Sequence, residues 1–108
     1  RKSNLLTSPR VVVDYNLCKP YDASLAGSEW YLVGSNTVLF HIKREFRRDY
    51  ISRTHSFVVW EVDVKSGERK RVNNLRNKAL FIGASNSSFC VDALLRENYK
   101  PKCIYYTD

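Results

Sequence analysis

The chain has 108 residues, a hydrophobic content of 44% and a net charge of +7, so it can form one small domain with a core. This composition excludes wholesale disorder, and the positive charge favours an acidic partner such as nucleic acid, an acidic protein or a membrane surface. No apolar run approaches the ~18 residues of a membrane span and no signal peptide is recognisable, so we expect a cytoplasmic or nuclear location. Because the first residue is Arg1 and not Met, we also expect a fragment or a processed product.

The first 27 residues are predicted to be an irregular N-terminal segment. Pro9, Pro20 and Gly27 interrupt it, together with several Ser and Asn residues. Residues 11–13 are three consecutive valines, which predict one short strand inside this segment.

The clearest strand pattern lies between residues 28 and 72. Strands are predicted at 30–33 and 37–43, joined by a Gly-Ser-Asn turn, and at 56–64 and 68–72, joined by a Lys-Ser-Gly-Glu turn. The third of these is the strongest, because Val and Trp residues alternate along it with period two. Four strands within about 45 residues match the antiparallel meander of one β-propeller blade.

Three further short strands are predicted at 79–82, 88–91 and 103–106, with one helical turn or a loop over 93–99. These would supply three strands of a second blade. We therefore predict an all-β fold in which residues 28–108 form an antiparallel meander of about two blades, that is, a partial β-propeller.

Five short motifs carry a family resemblance. They are F-V-V-W-E-V-D at 57–63, R-K-R-V-N-N-L at 69–75, A-L-F-I-G at 79–83, S-S-F-C-V at 87–91 and K-C-I-Y-Y-T-D at 102–108. In order and spacing they resemble strands of the plant KIB-type β-propeller family, the F-box-associated propeller domain. The closing motif is the most specific, since it is similar to the family's N-C-I-Y-F-T-D-D. One departure is Arg69, which stands where the family often has Trp.

The resemblance implies the last blades of a propeller and a non-catalytic, protein-binding role. Many members of that family carry an F-box that docks on a Skp1-type adaptor, while the propeller presents a target protein for ubiquitin transfer. No F-box motif is recognisable in these 108 residues. We therefore expect these residues to contribute only part of the surface that presents a target protein, or part of its scaffold. The expected partner is that target protein.

The residues suggest no catalytic, metal or cofactor site. His41 and His55 lack a recognisable nucleophile and orienting group around them. Cys18, Cys90 and Cys103 have no C-x-x-C spacing, so we expect reduced thiols that serve packing. The glycines are isolated and form no phosphate-binding loop. We therefore expect no enzyme activity and no cofactor.

The basic segment 43–53 is the candidate contact with a partner. The residues expected to make this contact, from a loop, are Arg44, Arg47, Arg48, Tyr50 and Arg53. Three interpretations remain open: a solvated loop, a contact with a protein, or a contact with nucleic acid through phosphates and base stacking. The resemblance favours the first two. The alternative function is accordingly a small basic nucleic-acid-binding β domain that uses this segment, and no membrane contact is expected.

Overall fold

The computed structural model describes residues 11–15, 18, 25–34, 38–47, 54–83, 88–95 and 98–107. Its strands are β1 (Val11–Asp14), β2 (Leu25–Gly34), β3 (Leu39–Arg47), β4 (Thr54–Val62), β5 (Arg69–Arg71), β6 (Lys78–Ile82), β7 (Phe89–Asp92) and β8 (Cys103–Tyr106), and a 3₁₀ helix lies at Ala93–Leu95. They form two four-stranded sheets. The predicted all-β fold of partial propeller blades is therefore confirmed.

The first sheet is an antiparallel meander of β2, β3, β4 and β5. β2 begins at Leu25 and β3 ends at Arg47, so both strands are longer than predicted. The predicted connector at 43–53 is wrong over its first residues, because β3 continues its alternation through Arg44 and Phe46. Hydrogen bonding to both neighbouring strands extends β3 beyond the point where its apolar pattern fades.

A tight turn between β4 and β5 depends on Asp63 and Gly67. The Asp63 carboxylate accepts a hydrogen bond from the backbone N–H of Lys65 at 2.9 Å, and the N–H of Gly67 donates to the Asp63 carbonyl at 2.7 Å. Gly67 has φ of +77°, a conformation in which a side chain would be strained. The turn fixes the register in which Trp60 lies opposite Arg71.

The second sheet has the order β1-β8-β6-β7. β6 and β7 form an antiparallel hairpin, whereas β8 runs parallel to β6 and antiparallel to β1. The predicted antiparallel pattern is therefore wrong for the β6–β8 pair. The chain crosses back over the sheet between β7 and β8, so β8 enters in the same direction as β6. β1 fills the fourth position of this sheet.

The two sheets pack face to face around one core. The first sheet contributes Val33, Phe40, Ile42, Phe57 and Val59, and the second contributes Leu80, Ile82, Ile104 and Tyr106. A second cluster on the far side of the second sheet centres on Phe81, which stacks on Phe89 at 4.5 Å and on Tyr105 at 4.7 Å. Ala93 and Tyr99 pack against this cluster and cover it. The face not yet described, the outer face of the first sheet, carries the candidate site.

Tyr15, directly after β1, connects the N-terminal strand to the first sheet. Its side chain is only 4% exposed. The hydroxyl donates to the Val72 carbonyl at 2.6 Å and accepts from the Val59 N–H at 3.0 Å. It therefore bridges β4 and the residue after β5 at the point where their direct pairing ends.

No helix in the described part of the chain is long and apolar enough to cross a membrane.

Candidate protein-interaction surface

Two tryptophans lie side by side on the outer face of the first sheet. The strand register pairs Trp30 of β2 with Lys43 of β3, and His41 of β3 with Trp60 of β4. Arg69 of β5 is on the same face, since it is two residues from the partner of Trp60. We call these five residues the tryptophan surface. Neighbouring strands bring them together because cross-strand and diagonal positions on one face lie within reach of long side chains.

The rings of the tryptophan surface contact one another. Trp30 and Trp60 are stacked, with ring centroids 5.5 Å apart and planes inclined by 27°. The His41 ring lies 4.5 Å from that of Trp30 and 6.3 Å from that of Trp60. Aromatic pairs at such distances contribute about 0.5–1.5 kcal/mol beyond the area they bury. Each ring therefore restricts the rotamers of its neighbours, which leaves a preorganised aromatic patch.

Two cations lie over these rings. The guanidinium carbon of Arg69 is 4.5 Å from the Trp60 ring centroid and 5.7 Å from that of Trp30. The Lys43 ammonium lies 5.8 Å from the Trp30 ring centroid. Cation–π contacts at exposed sites contribute about 0.5–1 kcal/mol each. They hold positive charge at the edge of an apolar patch, so the surface combines two features that partner proteins recognise.

His41 is held in its neutral form. Its Nδ1 lies 3.1 Å from Nη1 of Arg69. A guanidinium can only donate, so Nδ1 accepts and the ring proton belongs on Nε2. Burial, and secondarily the positive charge of Arg69, lower the pKa of His41 below its ordinary value of 6.5. The imidazole therefore adds no charge to the surface near neutral pH.

Part of the tryptophan surface is open to solvent. Trp30 is 47% exposed, and the neighbouring Leu32 is 65% exposed. At the other end of the same face, Glu45 and Ser56 are buried, and the Ser56 hydroxyl donates to the Glu45 carboxylate at 2.6 Å. The accessible part is thus the end that carries the tryptophans. A cleft of about 760 Å³ adjoins it, with Leu39, Val62 and Arg69 among the lining residues.

The residues predicted to contact a partner fall in and after β3. Arg44 and Arg47 belong to β3, and the side chain of Arg47 lies outside what the structure describes. Arg48, Tyr50 and Arg53 lie outside the described residues. Their role in partner contact stays a prediction.

Arg44 was expected in a loop, but it points into the protein and is 6% exposed. Its Nε donates to the Thr54 hydroxyl at 2.7 Å, and Nη2 donates to the Thr107 carbonyl at 2.6 Å. The guanidinium also lies 5.5 Å from the Tyr106 ring centroid. Arg44 therefore ties the first sheet to the end of β8, and most of its donors are used inside the protein.

None of the five side chains of the tryptophan surface was among the residues expected to bind a partner, and Trp30, His41 and Arg69 also lie outside the basic segment 43–53. The signal that identifies them is the pairing between strands, since each is an isolated residue in the sequence. Only the observed register places a Trp, a His and an Arg from three different strands on one face.

The described residues contain no group of three or more His, Cys, Asp or Glu side chains that could hold a metal ion. Burial raises the pKa of the Cys18, Cys90 and Cys103 thiols. A thiol with a raised pKa is mostly protonated at neutral pH and is a poor nucleophile. These cysteines therefore have the properties of packing residues.

A scan against protein-family models matches the chain to the KIB1-4 beta-propeller over residues 4–108. Neither the curated proteins nor the solved structures contain a match to the chain. The family match covers nearly the whole sequence, and it agrees with the two four-stranded sheets and with the motif order from residue 57 onwards. The chain thus belongs to the KIB1-4 β-propeller family.

Proposed function

We propose that this chain is a non-catalytic, protein-binding part of a β-propeller, and that it helps to present a target protein for ubiquitin transfer. Membership of an F-box-associated propeller family supports a protein partner. A Skp1-type adaptor would be engaged through an F-box outside the matched residues. A role in ubiquitin ligation would place the protein in the cytoplasm or the nucleus.

The observation that carries this proposal is the exposure of Trp30 beside Trp60 and Arg69. Trp and Arg are enriched among the residues that dominate the energy of protein–protein contacts. Here the rings are already stacked, so a partner would lose little conformational entropy of these side chains when it binds. Arg69 keeps donors at the rim of the patch, where they can reach polar groups of a target.

The test is a pull-down from plant cell extract with the tagged parent protein and with the 108-residue chain, read by mass spectrometry. We expect both baits to retain the same target, and only a bait with an F-box to retain the adaptor. Trp30→Ala and Trp60→Ala should each remove the target. Leu95→Ala is the matched control, since Leu95 is 81% exposed and lies outside the tryptophan surface.

Nucleic acid is the second candidate partner. Stacked tryptophans flanked by Lys43 and Arg69 could also hold single-stranded bases and their phosphates. Binding of this kind weakens steeply with salt, by roughly one unit of log–log slope per phosphate contact. Retention of nucleic acid by both baits, without a specific protein, would refute the first proposal and support this one.

A further inference from the structure

The strand β5 is one of the two edge strands of the first sheet, and no described strand pairs with its outer side. Its three residues, Arg69, Lys70 and Arg71, are all exposed. An uncovered edge strand offers unpaired backbone N–H and C=O groups that can bond to another strand. The direction in which these groups point decides which residues could receive a partner.

The hydrogen-bond alternation of β4 and β5 identifies the free backbone groups. The N–H of Asp63 donates to the carbonyl of Glu68, and the N–H of Val72 donates to the carbonyl of Val59. Bonded pairs in an antiparallel ladder recur every second residue, so Lys70 is the β5 residue that bonds to β4. The backbone groups of Arg69 and Arg71 consequently point away from the sheet.

The same two residues place their side chains on the outer face. Arg71 is paired with Trp60, and Arg69 lies over its ring, whereas Lys70 is on the opposite face. Among the described residues, Lys43 forms an ion pair with Glu45, and no ion pair involves a residue of β5. Arg69 and Arg71 therefore combine outward backbone groups with guanidinium groups that have no carboxylate partner in the described structure.

A second copy of this chain is a poor occupant of the edge. Its own β5 would bring three more cations against these three, and like charges opposite each other destabilise a strand pair. An acidic strand has the complementary charge. Antiparallel pairing is the arrangement that the first sheet already uses, and it is slightly more stable per residue than parallel pairing.

We propose that an acidic extended segment of the target protein adds to the first sheet as an antiparallel strand on β5, with two acidic residues separated by one residue opposite Arg69 and Arg71. Residues that pair across two strands point to the same face, so both acidic side chains would lie beside the guanidinium groups. The flanking segment could then reach Trp30 and Trp60. This inference rests on the proposed function, because it names the chemistry that the target would present.

The test uses a labelled synthetic peptide, Thr-Val-Glu-Val-Glu-Val-Thr with blocked ends, and the 108-residue chain. Fluorescence anisotropy measures the affinity, and amide resonances locate the site. We expect binding with amide shifts at residues 69 and 71, and a loss of affinity as salt rises. The same peptide with Lys for both Glu residues should not bind.

Two matched comparisons separate strand addition from general charge attraction. Arg71→Glu should weaken binding about tenfold or more, and Lys70→Glu, with the same change in net charge, should weaken it much less. A peptide with N-methyl groups on both Glu amides should fail to bind, since these amides would donate to β5. Equal effects of the two substitutions, or undiminished binding of the methylated peptide, would overturn the inference.

A failure of strand addition at β5 can be distinguished from a failure of the proposed function. If the pull-down target is lost with Trp60→Ala but retained with Arg71→Glu, the proposed function stands and strand addition at β5 is wrong. If the wild-type chain binds no acidic peptide but binds a single-stranded oligonucleotide through Arg71, the partner is of another class and this inference is also wrong.

Discussion

Replacing Tyr15 with Phe tests whether the N-terminal strand is an integral part of this fold. The change removes one oxygen, which bonds to the Val72 carbonyl and the Val59 N–H in a site where Tyr15 is 4% exposed. Each buried backbone group left without a partner costs about 1–3 kcal/mol. The two groups can partly recover by moving toward each other, since they face across the same ladder. We therefore expect a total loss of about 1–3 kcal/mol in the free energy of unfolding.

Urea denaturation followed by circular dichroism measures this loss. With a slope of about 1–3 kcal/mol per molar urea, a loss near the middle of the expected range lowers the midpoint by roughly 1 M. Tyr31→Phe is the matched control, because the Tyr31 hydroxyl bonds only to side chains: it donates to the exposed carboxylate of Glu29 and accepts a long bond of 3.4 Å from Arg44. If Tyr15→Phe were no more destabilising than Tyr31→Phe, the bridging role of the Tyr15 hydroxyl would be refuted.

Three further outcomes are expected. An NMR titration should give His41 a pKa below 6.5. Its contribution to stability is therefore present above pH 6.5 and is lost as the pH falls through the lowered pKa. Arg69→Gln should raise this pKa only partway toward 6.5, because burial is the larger cause of the shift. Gly67→Ala should lower the unfolding free energy by about 1 kcal/mol, whereas Gly27→Ala should not, because an added Cβ at Gly27 would meet no atom within 4 Å. Arg44→Leu should cost about 1–3 kcal/mol in the same denaturation assay, because two part-buried acceptors lose their donor.

Local pattern was sufficient to predict most strands of this fold. Alternation in β4 and the short apolar runs of β6, β7 and β8 correspond to strands within one or two residues of the predicted bounds. Pairing between segments that are distant in the sequence could not be predicted from local pattern. The pairing of β1 with β8 joins residues that are 89 to 95 positions apart, and nothing in a run of three valines specifies β8 as the neighbouring strand.

The tryptophan surface was missed because it depends on the register of a hairpin. A turn confined to residues 34–36 would place Trp30 opposite Phe40, a core residue. The observed strands end at Gly34 and begin again at Leu39, which places Trp30 opposite Lys43. A shift by an odd number of residues exchanges the two faces of a strand. The short difference in the turn thus decides whether Trp30 faces the core or the solvent.

In a closed propeller, the outer face of the first sheet could instead pack against another blade. The charges on that face weigh against such a contact. Packing a blade there would remove Arg69 and Arg71 from water along with the tryptophans, and a cation buried without a carboxylate partner costs several kcal/mol. A smaller contact that covers the rings and leaves the cations at its rim avoids this cost. For this reason we favour a partner protein that carries acidic groups, rather than a neighbouring blade with an apolar face, as the occupant of this surface.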